Sequence, residues 1–117
     1  MKCRELMCGD WIADNNGFRW QIICVGDDYA YATFEDNEGD PWEFVDKDDQ
    51  PQPILLTPEI LEKNEEVKSL TMFRKNEQGI DCLALIYIPA INLYYVHELQ
   101  HALRLCGLNE LADNFKV

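Results

Sequence analysis

The sequence predicts an α+β chain, with an N-terminal SH3-like small β-barrel or meander followed by a β-α-β-β-α lobe. Three observations lead there. Four short apolar segments with strand-like alternation fall within the first fifty residues, separated by tight turns. Thr57-Pro58-Glu59 is a helix start, with a hydroxyl N-cap, proline at the first helical position and an acid in the first turn. From Val96 onward the apolar residues recur at helical spacing.

Met7-Cys8-Gly9-Asp10 reads as a turn and Trp11-Ile12-Ala13-Asp14 as a first strand. Asn15-Asn16-Gly17 is a hairpin turn, because Asn and Gly tolerate positive φ. Phe18 to Val25 returns, with Phe18, Trp20, Ile22 and Cys24 expected on one side. Gly26-Asp27-Asp28 turns into a third strand, Tyr29 to Phe34; Glu35 to Pro41 is a polar loop, and Trp42 to Val45 a fourth strand. Trp11, Trp20 and Trp42 are expected as the core of this small unit, with an aromatic groove as the alternative. Asp46 to Pro53 is an acidic linker with two prolines, which divides the chain into residues 1–50 and 51–117. The two lobes can also share one core.

In the second lobe Ile54-Leu55-Leu56 reads as a strand and Pro58 to Lys63 as a short helix, with Asn64 a left-handed C-cap. Val67 to Arg74 alternates loosely, Asn76 to Gly79 turns, and Ile80 to Ile88 is an apolar strand ended by Pro89. Asn92 caps a final helix from Leu93 to Cys106, stopped by Gly107, and Leu108 to Val117 is a tail.

With 47% apolar residues in 117, the chain can bury a core. It shows no leader-like apolar run after Met1 and no apolar stretch of spanning length, so a cytoplasmic location without membrane association is expected. Cys3, Cys8, Cys24, Cys82 and Cys106 are odd in number and contain no C-x-x-C, which argues for reduced thiols. Cys24, Cys82 and Cys106 are expected as small core residues.

The net charge is −12, and residues 27–66 account for all of it, with fourteen acids against Lys47 and Lys63. Such a field repels phosphate backbones, so direct nucleic-acid binding is not expected; a basic protein is the expected kind of partner. The candidate interaction surface is Asp27, Asp28, Asp36, Glu38, Asp40, Trp42, Asp46, Asp48 and Asp49. Asp36-Asn37-Glu38-Gly39-Asp40 lacks the alternating spacing and distal glutamate of a calcium loop. There is no glycine-rich phosphate loop.

His97-Glu98-Leu99-Gln100-His101 matches H-E-x-x-H. On a helix both histidines can reach one zinc, and the glutamate can act as general base on bound water. His97 and His101 are the only histidines, so the third ligand must come from a carboxylate or thiolate. The helical wheel places Val96, Leu99, Leu103 and Cys106 on the core stripe, with Tyr95 and Ala102 beside it. The two histidines then fall about 160° away, beside Arg104, on a solvated face. No metal or other cofactor is therefore assigned.

Two stretches carry a resemblance. Pro53-Ile54-Leu55-Leu56-Thr57-Pro58-Glu59-Ile60-Leu61 and Tyr95-Val96-His97-Glu98-Leu99-Gln100, together with Gly9-Asp10-Trp11, resemble a family of small uncharacterised proteins of gut Bacteroidetes and their phages. The family's Tyr-Val-His-x-Leu-Gln pattern does not require His101, and the resemblance implies no known activity. The expectation is thus a non-enzymatic protein-interaction module. The alternatives are a small zinc hydrolase using His97, His101 and Glu98, and an acidic nucleic-acid mimic that occupies a basic protein.

Overall fold

A computed structural model describes residues 1–34, 39–48 and 50–117. They form an α+β chain that divides into two units, Met1–Ile54 and Leu55–Val117.

The first unit is an antiparallel meander. After a 3-10 turn at Cys3–Glu5 come β1 (Trp11–Ala13), β2 (Arg19–Val25), β3 (Tyr29–Phe34) and β4 (Trp42–Val45), in sheet order β1-β2-β3-β4. The expected meander is present, but the sheet is open and does not close into a barrel. The hairpin between β1 and β2 is set by Asp14, whose Oδ1 accepts from the amides of Asn16 and Phe18 at 2.9 and 3.0 Å. Gly17 adopts φ +86° there, as the turn chemistry required.

A register shift between Ile22 and Cys24 interrupts the β2–β3 ladder. One extra residue changes the face on which following side chains project. Ile22 is buried, Ile23 and Cys24 are both exposed, and Val25 packs on the core instead. This corrects the expectation that Cys24 lies inside. The thiol buried in this unit is Cys3, grouped with Leu6, Ile12, Ile22, Ala30, Ala32 and Phe44.

In the second unit β5 (Thr71–Lys75), β6 (Asp81–Leu85) and β7 (Ile88–Leu93) form a three-stranded antiparallel sheet. The helices are α1 (Pro58–Glu62), α2 (Glu65–Ser69), α3 (Val96–Leu105) and α4 (Asn109–Asp113). Thr57 caps α1 as expected, its hydroxyl accepting from the Ile60 amide at 3.3 Å. Ile54-Leu55-Leu56 does not form a strand; it contributes an isolated bridge between Leu55 and Tyr95. Asn64 is not left-handed (φ −132°). Its buried amide instead clamps the C-terminal tail, donating to the carbonyls of Ile60 and Lys116 and accepting from the Lys116 amide at 2.7–2.8 Å.

The segment expected as a single strand from Ile80 to Ile88 is two strands joined at Ile86-Tyr87. Pro89 lies inside β7, at the sheet edge, where a missing N–H costs no ladder bond. Asn92 belongs to β7, and α3 begins later than expected, at Val96. Gly107 ends α3 with φ +77°; the amides of Gly107 and Leu108 return to the carbonyls of Arg104 and Leu103 at 3.0 and 2.9 Å. That is a Schellman closure, which needs a residue at ease in the left-handed region. The expected tail contains α4, and its Phe115 is buried. No helix among the described residues is long and apolar enough to cross a membrane.

Candidate functional site

Cross-strand register gathers Trp20, Phe34, Trp42 and Phe44 of the first unit on one face. Ile12 faces Trp20, Trp20 faces Phe34, Ala32 faces Trp42 and Ala30 faces Phe44. Paired residues project to the same side of a sheet, so these residues share a surface. One half of it is covered by the N-terminal segment, through Cys3 and Leu6. That segment is tied down by the Cys3 amide, which donates to Asp46 Oδ1 at 2.8 Å, and by the Cys3 thiol, which reaches the Phe44 carbonyl at 3.6 Å. Accepting the Cys3 amide holds the Asp46 carboxyl below its ordinary range. Burial, with the Asp46 carboxylate beside it, pushes the Cys3 thiol up to about 12.

The other half carries an aromatic strip. The Trp20 ring lies 5.0 Å from Phe34, 6.1 Å from Trp42 and 6.4 Å from Phe44, and Phe18 meets Phe34 edge-on at 5.9 Å. Trp20 is half-buried and fixed by its indole N–H, which donates to Asp14 Oδ2 at 2.9 Å. Trp42 and Phe18 remain 47% and 53% exposed. The three tryptophans are therefore not one set. Trp11 alternates to the opposite face and is buried, Trp20 is the hinge of the strip, and Trp42 is its solvent-facing end. Phe18 and Phe34 belong to the strip although the sequence reading did not assign them to a site. The signal was the alternation of Phe18 with Trp20, but placing Phe34 beside them needs the β2–β3 register.

The acidic positions divide between the two ends of the sheet. Asp27 and Asp28 in the β2–β3 turn and Asp46 and Asp48 after β4 lie at one end, where the Asp46 amide donates to the Asp28 carbonyl at 3.0 Å. Asp40 is exposed at the other end, just before Trp42. Asp36, Glu38 and Asp49 lie outside the described residues.

His97 and His101 are neighbours on α3, with ring centroids 5.7 Å apart, and His97 stacks on Tyr95 at 6.1 Å. Both are half-buried, where a solvated face was expected. The wheel anticipated Val96, Leu99, Ala102 and Leu103 as buried, and they are; it missed Gln100, which is fully buried and donates to the Ala112 carbonyl at 2.9 Å. Arg104 meets Asp113 at 3.3 Å. The fold-back of α4 thus covers a flank of α3 that the wheel left to water.

Glu98 is engaged as a helix cap. Its Oε1 accepts from the amides of Tyr94 and Tyr95, both at 3.0 Å. A carboxylate that satisfies two donors at its own helix start is held by the backbone. Among the described residues no three His, Cys, Asp or Glu side chains converge as a metal site would need.

No family model, curated protein or solved structure matches the chain.

Proposed function

We propose that the chain is a protein-interaction module and that the aromatic strip of the first unit, with Trp42 at its exposed end, is its contact surface for a basic, extended segment of a partner. The supporting observation is half-exposed Trp42 beside an indole, Trp20, already fixed by Asp14, with half-exposed Phe18 joined to it through Phe34. Large aromatic groups held rigid at the surface contribute contact area at small entropic cost. Residues 1–54 hold thirteen acids against four bases, a net charge of −9, so the field around the strip favours cations. An arginine over an indole face gains a cation–π contact as well. Read as SH3-like, the unit would offer this strip to a proline-rich segment, whose rings stack flat on tryptophan.

Titration of tryptophan emission with the peptide (Arg-Pro-Pro)₄ tests the reading. Saturable binding is expected, lost by about tenfold or more in Trp42→Ala, the range of a hot-spot aromatic. Its acidic counterpart (Glu-Pro-Pro)₄ should leave the emission unchanged. Equal binding by wild type and Trp42→Ala would place the contact elsewhere and remove the proposal.

A further inference from the structure

A second feature lies wholly within the second unit. A cavity of about 500 Å³ opens beside β5. Its floor includes buried Leu56, Leu83 and Leu93. At its mouth Leu55 and Phe73 are left 60% and 50% exposed. The volume falls in the range that receives a side chain or small ligand.

The strand edge next to this cavity is open. β5 is the terminal strand of the sheet, and its five residues pair with β6 in unbroken register from Thr71–Leu85 to Lys75–Asp81. Among the described residues, the backbone of Thr71–Lys75 makes no hydrogen bond outside that ladder. Natural proteins usually protect such an edge with proline, an irregularity or an outward-turned cation. The opposite edge, β7, has both Pro89 and a register shift against β6. β5 has neither. Its two cations are also turned onto the sheet: Arg74 donates to the Asn92 side chain and the Ile91 carbonyl, and Lys75 pairs with Asp81 at 2.8 Å. The chain therefore protects one edge of this sheet and leaves the edge beside the cavity free.

We infer that the β5 edge and the adjoining cavity form a docking site for an extended segment of a partner protein, which adds to the sheet as a fourth strand. Main-chain bonds to β5 would supply affinity, and an apolar side chain entering beside Phe73 would supply specificity. Of the charged residues lining the cavity, Lys75 is paired with Asp81 while Arg74 bonds the neutral Asn92 side chain and the Ile91 carbonyl, which leaves one cation in excess, so an acid next to the inserted side chain is preferred over a base. This site is independent of the aromatic strip.

The probe is the peptide Ac-Thr-Val-Thr-Leu-Glu-Val-Thr-NH₂ in three forms: unmodified, and N-methylated at one or the other alternate set of amides. Alternate amides of a strand point to opposite sides. Strand addition therefore predicts that one methylated form binds like the parent and the other does not bind. In amide NMR spectra of the ¹⁵N-labelled chain, shifts should cluster at Met72–Lys75, and the outward amides of β5 should exchange more slowly with solvent. Phe73→Ala, and independently Leu55→Ser at the other side of the mouth, should weaken binding about tenfold, with spectra elsewhere unchanged. Equal binding by both methylated forms, or no shift at β5 with millimolar peptide, would overturn the inference. Shifts confined to Trp42 and Phe18 would overturn it too, while leaving the aromatic-strip proposal standing.

Discussion

Cys3 is the residue whose environment has the largest chemical consequence. It is fully buried beneath Phe44, with its amide on Asp46 and its thiol pushed up to about 12. In the unfolded chain a thiol ionises near the ordinary value of about 8.5. The folded value is the higher one, so this contribution to stability is fully present below about pH 8.5 and is lost as pH rises toward 12. Each pH unit inside that window removes up to about 1.4 kcal/mol. Denaturation midpoints measured between pH 8 and pH 10.5 should fall more steeply for wild type than for Cys3→Ala. Parallel curves would mean that the thiol is not sealed. Sequence alone did not show this residue. Cys3 sits in an unpatterned N-terminal stretch, and its burial depends on a backbone-to-carboxylate bond spanning forty-three positions.

At the scale of elements, legibility followed length and turn chemistry. β3 and β4 have the residue bounds expected of them, since each alternates cleanly and is set off by polar turns. The helices α2 and α4 are five residues each, shorter than two turns, so no periodicity could announce them. β7 was obscured by Pro89, whose usual meaning as a strand breaker does not hold at a sheet edge. H-E-x-x-H was legible as a motif, but the capping role of its glutamate was not. Helix α3 starts at Val96, which puts Glu98 at the third helical position, where a carboxylate can reach back to the amides before the helix. Placing the start at Leu93 hid this. The cap makes a prediction: Glu98→Ala should destabilise the chain by about 1 kcal/mol, the usual cost of an N-terminal cap. Glu98→Gln keeps an acceptor oxygen and should cost less than half as much. Urea midpoints of the two variants check it, and equal losses would show that charge, not the two amide bonds, anchors the helix start.

For the whole molecule the deciding quantity is the uneven charge. Residues 1–54 carry −9 of the −12, and residues 55–117 hold nine acids against six bases, a net of −3. The aromatic strip and the acids Asp27, Asp28 and Asp48 therefore belong to the same unit but to different parts of its sheet, and their effects on a basic partner can be separated. Long-range attraction is screened over roughly 8 Å at physiological ionic strength, whereas ring contacts are not. Binding of (Arg-Pro-Pro)₄ should weaken steadily between 0.05 and 0.5 M NaCl. Neutralising Asp27, Asp28 and Asp48 to asparagine should flatten that salt dependence while leaving high-salt affinity nearly unchanged. Trp42→Ala should do the reverse, lowering affinity by the same factor at every salt concentration, because it removes contact area and not net charge. If Trp42→Ala instead changed the slope, or the triple asparagine variant lowered affinity equally at all salts, charge and contact would not be separable, and the division of roles between the acidic end and the aromatic strip would fail.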